Sequence, residues 1–263
     1  MQNGPVYLTN SDLSVLTTTK QTSYGTVGLT GDGREFRYAS FGGTTTLAPG
    51  LLLQAATAAQ GNATNSQGMV ITATSVTGAG QTTANLTAGS TQLVVTGGGT
   101  SYTQDQFAEG FMDVIWSGGP ITYKIKGNSA STATNGYTTI YLYPEEPLRN
   151  TAALVPGTDT VNLWISPYST LQSTTTVNVP IGATVNNVVN TASVTNYGWV
   201  QTKGEAVLTA DASSVVIGNT IGPSTTTAGY VGLSVAQTKP AVGWSKATQS
   251  TGGAGLSAFL NIN

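Results

Sequence analysis

Short runs of β-branched and aromatic residues, each closed off by Gly, Asn or Pro, recur along this chain from end to end, and helical periodicity is nearly absent. A pattern of that kind commits the backbone to many short strands joined by turns. The clearest predicted strands are 70–74, 91–95, 111–116, 121–125 and 139–143, several of which alternate apolar with polar positions, as a strand with one buried face does. Ser117-Gly118-Gly119-Pro120 supplies the permissive dihedrals of a tight connection, so Phe111–Trp116 and Ile121–Lys126 are expected to form a hairpin with Asp113, Lys124 and Lys126 at its polar positions. Asn135-Gly136 predicts another turn, leading into an aromatic strand that Pro144 and Pro147 end, because a proline cannot donate to a ladder. Residues 51–60 contain good helix formers, but they follow Pro49-Gly50 without a capping residue and are read as a strand.

The expected fold class is all-β, in antiparallel β-barrel or β-sandwich domains with short strands and long loops. Polar, small-residue stretches near 60–67 and 172–176 suggest three segments. These are an N-terminal segment, 1–60, packing with the C-terminal domain or anchoring to a partner, a central β-barrel domain, 61–172, and a C-terminal β domain, 173–263.

Composition then narrows the chemistry. The chain has 263 residues, no His, no Cys, 9 Lys or Arg and 11 Asp or Glu. Imidazole and thiolate chemistry, disulfides and His- or Cys-ligated metals are therefore excluded. The charged fraction is 8%, against roughly 25% in ordinary soluble proteins, so solubility rests on neutral hydroxyls and amides. No charge falls between Ala39 and Gln104 or between Thr160 and Thr202, which suits these surfaces to close neutral contact rather than to long-range steering. A net charge of −2 leaves no basic stripe for phosphate neutralisation, so no direct nucleic-acid binding is expected. No apolar run approaches the ~20 residues of a membrane span, and the first ten residues do not form a secretory signal. Synthesis in the cytoplasm and no membrane association are the corresponding expectations.

Few side chains remain as candidates. Gly31–Tyr38 holds the densest charge cluster, with Arg34 and Arg37 alternating with Phe36 and Tyr38. It reads either as a solvated hairpin with weak surface ion pairs or as an interface anchor, since Arg flanked by aromatics is typical of binding hot spots. Trp199 and Trp244 read either as covers of a β core or as an aromatic surface that stacks on sugars. Glu145-Glu146 would point to opposite sides of an extended chain and cannot flank one substrate bond. Asp105, Glu109 and Asp113 would align only on a helix, against which Gly110 and the following strand argue. Gly97-Gly98-Gly99 lacks the lysine and helix of a phosphate loop, and no nucleophile elbow is present. Asn62 and Asn85 head glycosylation patterns that chance produces readily in so Asn- and Thr-rich a chain. No catalytic residue, metal or cofactor is expected.

The order of several motifs resembles the capsid decoration, or cement, proteins of tailed bacteriophages. Asp32-Gly33-Arg34-Glu35-Phe36-Arg37-Tyr38-Ala39 followed by Leu47-Ala48-Pro49-Gly50-Leu51-Leu52 is similar to their opening. Thr122–Asn128, Pro147-Leu148-Arg149 and Ser166-Pro167-Tyr168 resemble their central part, and Tyr197–Gly204 with Val215–Gly232 their C-terminal part. The chain departs from the pattern at Gly243-Trp244, where a basic residue is expected after the glycine. The resemblance implies a non-enzymatic virion subunit on the outer capsid surface, bound to the major capsid protein and bridging capsomers as a homo-oligomer, with a trimer favoured over a dimer. A glycan-binding head fibre or adhesin using Trp199 and Trp244 is the alternative, and a polysaccharide-degrading enzyme working through Asp and Glu alone is a third.

Overall fold

The computed structural model describes residues 4–43, 46–55, 69–72, 85–96, 101–132, 137–154, 159–174, 179–189, 194–234 and 240–262. The N-terminal segment contributes β1 (Val6–Leu8), α1 (Asn10–Ser14), β2 (Val27–Thr30), β3 (Glu35–Phe41) and β4 (Leu52–Ala55). The central segment contributes β5 (Met69–Thr72), β6 (Asn85–Leu86), β7 (Gln92–Thr96), β8 (Phe111–Ile115), β9 (Ile121–Asn128), β10 (Tyr137–Leu142), β11 (Ala152–Ala153) and β12 (Thr160–Trp164). After it come β13 (Leu171–Ser173), β14 (Gly182–Thr184), β15 (Asn196–Thr209), β16 (Thr220–Pro223), β17 (Val231–Leu233), β18 (Gly243–Ser245) and β19 (Gly255–Asn261). The fold is thus all-β, as the punctuated strand pattern predicts. The chain divides into two units, Met1–Ala56 with Pro167–Asn263, and Thr57–Ser166, whereas the sequence cuts fall at 60/61 and 172/173.

In the first unit β3, β13, β4, β14 and β15 are hydrogen-bonded in that order, and β15 pairs back onto β3, so these five strands form a closed ring. The ring departs from purely antiparallel expectation at β3–β13, which is parallel, as is β1–β2 at the sheet edge. Parallel neighbours are available here because each pair is joined through intervening chain long enough to cross over. Strand β15 is the hinge of the unit. Asn196–Gln201 pairs with β3, the register slips between Gln201 and Lys203, and Lys203–Thr209 runs on against β19. Gly204 adopts φ +94 at this bulge, and the Gln201 side chain donates to the carbonyls of Lys203 and Glu205, satisfying groups that the slip releases. Beyond it β19, β18, β16 and β17 continue the sheet, and a parallel bridge between Ala210 and Val231 returns its far edge to the end of β15.

Alternation along β3 and β15 separates two cores. Ala39, Phe41 and Val200 face the ring interior with Leu47, Leu53, Leu171 and Val188. Phe36, Tyr38 and Trp199 face the opposite side, where Leu8 of β1 and Leu13 of α1 cover them. The continuation sheet wraps a third core built on Leu208, Ile221, Val231, Leu256 and Leu260. The short helix α1 was not anticipated. Thr9 caps it reciprocally with Asp12, the Thr9 hydroxyl accepting from the Asp12 amide at 3.3 Å and the Asp12 carboxylate accepting from the Thr9 amide at 2.8 Å.

The second unit is a six-stranded sheet in the order β5-β12-β8-β9-β10-β7, every pairing antiparallel, with β6 and β11 forming a separate two-stranded ladder. The expected hairpin is β8–β9, in register from Phe111↔Lys124 to Val114↔Ile121. Inward positions of these strands, including Met112, Val114, Tyr123, Ile125, Ile140, Val161 and Leu163, make one core. β10 ends at Leu142, two residues before Pro144, as its proline predicts. Residues 51–60 are a strand over Leu52–Ala55, and 56–60 lie outside the described residues, as do Asn135-Gly136, Gly97-Gly98-Gly99 and Asn62.

Candidate functional site

The charge cluster after Gly31 is the β2–β3 hairpin, and it does not present the anchor that sequence reasoning allows. Phe36 and Tyr38 are buried, because alternation along β3 turns both toward Leu8, Leu13 and Trp199. Arg37 points to the other, partly exposed face, whereas the Arg34 guanidinium lies over the Phe36 ring, 5.6 Å from its centre. Arg34 Nε contacts Asp32 Oδ2 at 2.8 Å and Arg37 Nη2 contacts Glu35 Oε1 at 2.7 Å, while Arg34 Nη2 also donates to Asn10 Oδ1 at 3.4 Å and Arg37 Nη1 to the Gly25 carbonyl at 3.3 Å. Thr30 donates to Asp32, and this hydroxyl, assisted by the Arg34 amide and guanidinium, holds the Asp32 carboxyl below its ordinary pKa.

Trp199 and Trp244 belong to different surfaces. Trp199 is only 8% exposed and packs edge-on against Tyr38 at 5.3 Å, so it covers a core and offers no open stacking face. Trp244 is 47% exposed and lies parallel to Phe259 at 5.2 Å. The register Glu205↔Phe259↔Trp244↔Thr220 places these side chains in one outward row across β15, β19, β18 and β16, beside the ion pair of Lys246 with Glu205 at 2.6 Å.

Of the acids singled out by their spacing, Asp113 is committed to structure. Asp113 accepts from Trp164 Nε1 at 2.6 Å and from Thr122 at 2.7 Å, using both its oxygens. Asp105 and Glu109 sit at positive φ, +58 and +61, at the two ends of a turn. Buried Asn128 holds that turn by accepting from the Phe107 amide and donating to the Thr103 carbonyl. The three acids therefore share no helix face, and among the described residues no group of three acids is placed to hold a metal. Glu145 and Glu146 are exposed in a turn.

Two features escaped sequence reasoning. The first is a cleft of about 430 Å³ over the aromatic face of the ring, between Tyr38, Tyr197, Gly198 and Trp199 on one side and β1, α1 and residues 15–22 on the other. Its rings form a ladder: Tyr38 and Tyr24 each lie nearly parallel to Tyr197 at 6.4 Å. Tyr7, 80% exposed, stands at the rim with Asp12 and Ser11. The signal that could have found it is the alternation Tyr197-Gly198-Trp199, which puts two rings on one face of a strand. The second is the distribution of exposed large apolar side chains. Nine of the eleven among the described residues belong to the first unit: Tyr7, Val15, Val179, Val189, Val194, Val207, Val216, Ile217 and Trp244. Compared with known proteins, the chain matches no family model, no curated protein and no solved structure.

Proposed function

We propose that this protein is a structural subunit of a tailed-phage particle that binds the outer surface of the capsid and stabilises it by bridging capsomers. The observation that carries this reading is the concentration of exposed apolar side chains on the first unit of a chain with very few charges. Exposed apolar side chains that adjoin, as Val216 and Ile217 do in one turn, mark sites of protein–protein contact. Contacts of that kind lose little to ionic screening, which suits a shell that meets variable salt. The motif order along the chain supports the same assignment. A subunit that binds only the assembled, expanded shell raises its resistance to heat and internal pressure by its binding free energy at each site, and no reaction is involved. The major capsid protein is the partner, and self-association as a trimer places three first units around one capsomer junction.

The test is to add purified protein to expanded heads lacking it and image them. Density on the outer shell, with occupancy nearly unchanged between low and high salt and no binding to free capsid subunits, is the expected result. Density confined to the tail, or no binding to heads, refutes the proposal.

The Trp244–Phe259 pair favours a second reading, attachment to glycans through that open aromatic row. Trp199 has no part in it. Glycan-array binding lost on Trp244→Ala supports this reading, and an array without hits removes it.

A further inference from the structure

We infer that the cleft between α1 and the aromatic face of β15 is a binding site for a compact organic cation, an ammonium group carried on a short apolar stem. Three observations converge on that ligand class. The lining is aromatic and apolar at depth, through Tyr38, Tyr197, Trp199 and Leu8, and polar at the mouth, through Ser11, Thr17, Gln21 and Asp12. Its volume of about 430 Å³ lies within the usual range of small-ligand sites. Among the described residues that line the cleft Asp12 is the one charged side chain, with Lys20 standing beyond it over Tyr24.

Asp12 is fixed in place. Its Oδ2 accepts from the Thr9 amide at 2.8 Å and from the Thr9 hydroxyl at 2.6 Å, within the capping box of α1. Those bonds, the hydroxyl first, hold its carboxyl below the ordinary range, so it is anionic at neutral pH. The rings that the cleft leaves open are the partly exposed Tyr197 and, at the rim, Tyr7, and tyrosine faces attract cations through the ring quadrupole. The ladder already does so at its outer end, where Lys20 Nζ stands 3.8 Å over the centre of Tyr24, the ring that lies parallel to Tyr197. A neutral sugar would gain from Asp12 a hydrogen bond but no charge–charge attraction, and an anion would be repelled by it.

The ammonium can be that of a free quaternary amine or of a lysine side chain on a bound protein, and two probes separate these sources. Full-length protein is titrated with choline, with N-acetyl-lysine methylamide, and with 3,3-dimethylbutanol, the uncharged isostere of choline. Methyl resonances of Val6, Leu8 and Val15, which line the cleft, are followed by NMR. Saturable shifts with choline at least about fivefold tighter than with the isostere are expected, the margin of one cation–aromatic contact. Tighter binding of the lysine amide than of choline assigns the site to a protein side chain, and the reverse to a free amine. Asp12→Asn weakens binding several-fold. Because that change also touches the helix cap, Tyr7→Ala, at an exposed rim position, provides an independent loss of affinity without disturbing the core. Equal affinity for choline and its isostere, or no shift with either cation, overturns the inference. The outcome is independent of head binding, which is measured separately.

Discussion

Thr184 offers the sharpest test of how the first unit is held together. It is buried in β14, and its hydroxyl donates to the Ala48 carbonyl at 2.6 Å while accepting from the Leu51 amide at 2.9 Å, across more than 130 residues of sequence. Its backbone is bonded to the same turn, through Gly50 N to Thr184 O and Thr184 N to Leu51 O, both at 2.9 Å. Replacement by valine keeps the shape and removes only the hydroxyl. The Leu51 N–H then stays buried without its partner, a cost of about 1–3 kcal/mol, and the donation to Ala48 is lost, about 0.5–1.5 kcal/mol more. The added methyl group returns about 0.8 kcal/mol. A net loss of about 0.7–3.7 kcal/mol follows, centred near about 2 kcal/mol, which is equivalent to a fall in Tm of about 4–8 °C for a unit of this size. Thr184→Ser keeps both hydrogen bonds and gives up one methyl, about 1 kcal/mol. The expected order is therefore wild type, then serine, then valine. Calorimetry gives the order, and hydrogen exchange at the Leu51 amide reports whether the loss sits where the reasoning puts it. Valine as stable as serine would show that apolar volume, and not the buried hydroxyl, governs the site.

Three further outcomes are expected. Gly243→Ala places a Cβ 2.0 Å from the Phe259 carbonyl oxygen at φ +153, so β18 must separate from β19, and calorimetry should register a loss of about 3 kcal/mol. Asp12 and Asp32 have folded pKa values below their unfolded ones, so the stability each contributes is complete above about pH 4 and disappears as pH falls through the lowered folded value. Carboxyl titration by NMR should find both midpoints below the ordinary aspartate range, and Thr30→Val should raise that of Asp32. Ile217→Asp, at a side chain 69% exposed in the turn that Asn219 closes onto Val216, should leave stability within about 0.5 kcal/mol and reduce occupancy on heads. Unchanged occupancy would remove this turn from the docking surface.

Strand identity was largely local information. The runs around Val70, Val94, Val114, Tyr123 and Ile140 are strands because β-branched and aromatic side chains fit a pleated surface, and Gly and Pro end them where a ladder cannot continue. The same local rule gave the β8–β9 hairpin through Gly118-Gly119, and the absence of histidine and cysteine removed whole classes of chemistry from the residue list alone. The site was far less legible. Phe36 and Tyr38 look like an interface anchor on paper because alternation states only that they share a face, not whether that face meets water. Leu8 and Leu13, from the N-terminal flap, and Trp199, more than 150 residues away, decide that it does not. In the same way Asp113 looks available until Trp164 and Thr122 occupy both its oxygens, and Tyr197 gains its cleft only when β15 closes against β3. The sequence by itself determined what each short segment becomes, since strand and turn preferences act over a few residues. Tertiary structure alone decided which aromatic faces are covered and which remain open, because burial is set by partners that the chain brings from far along its length.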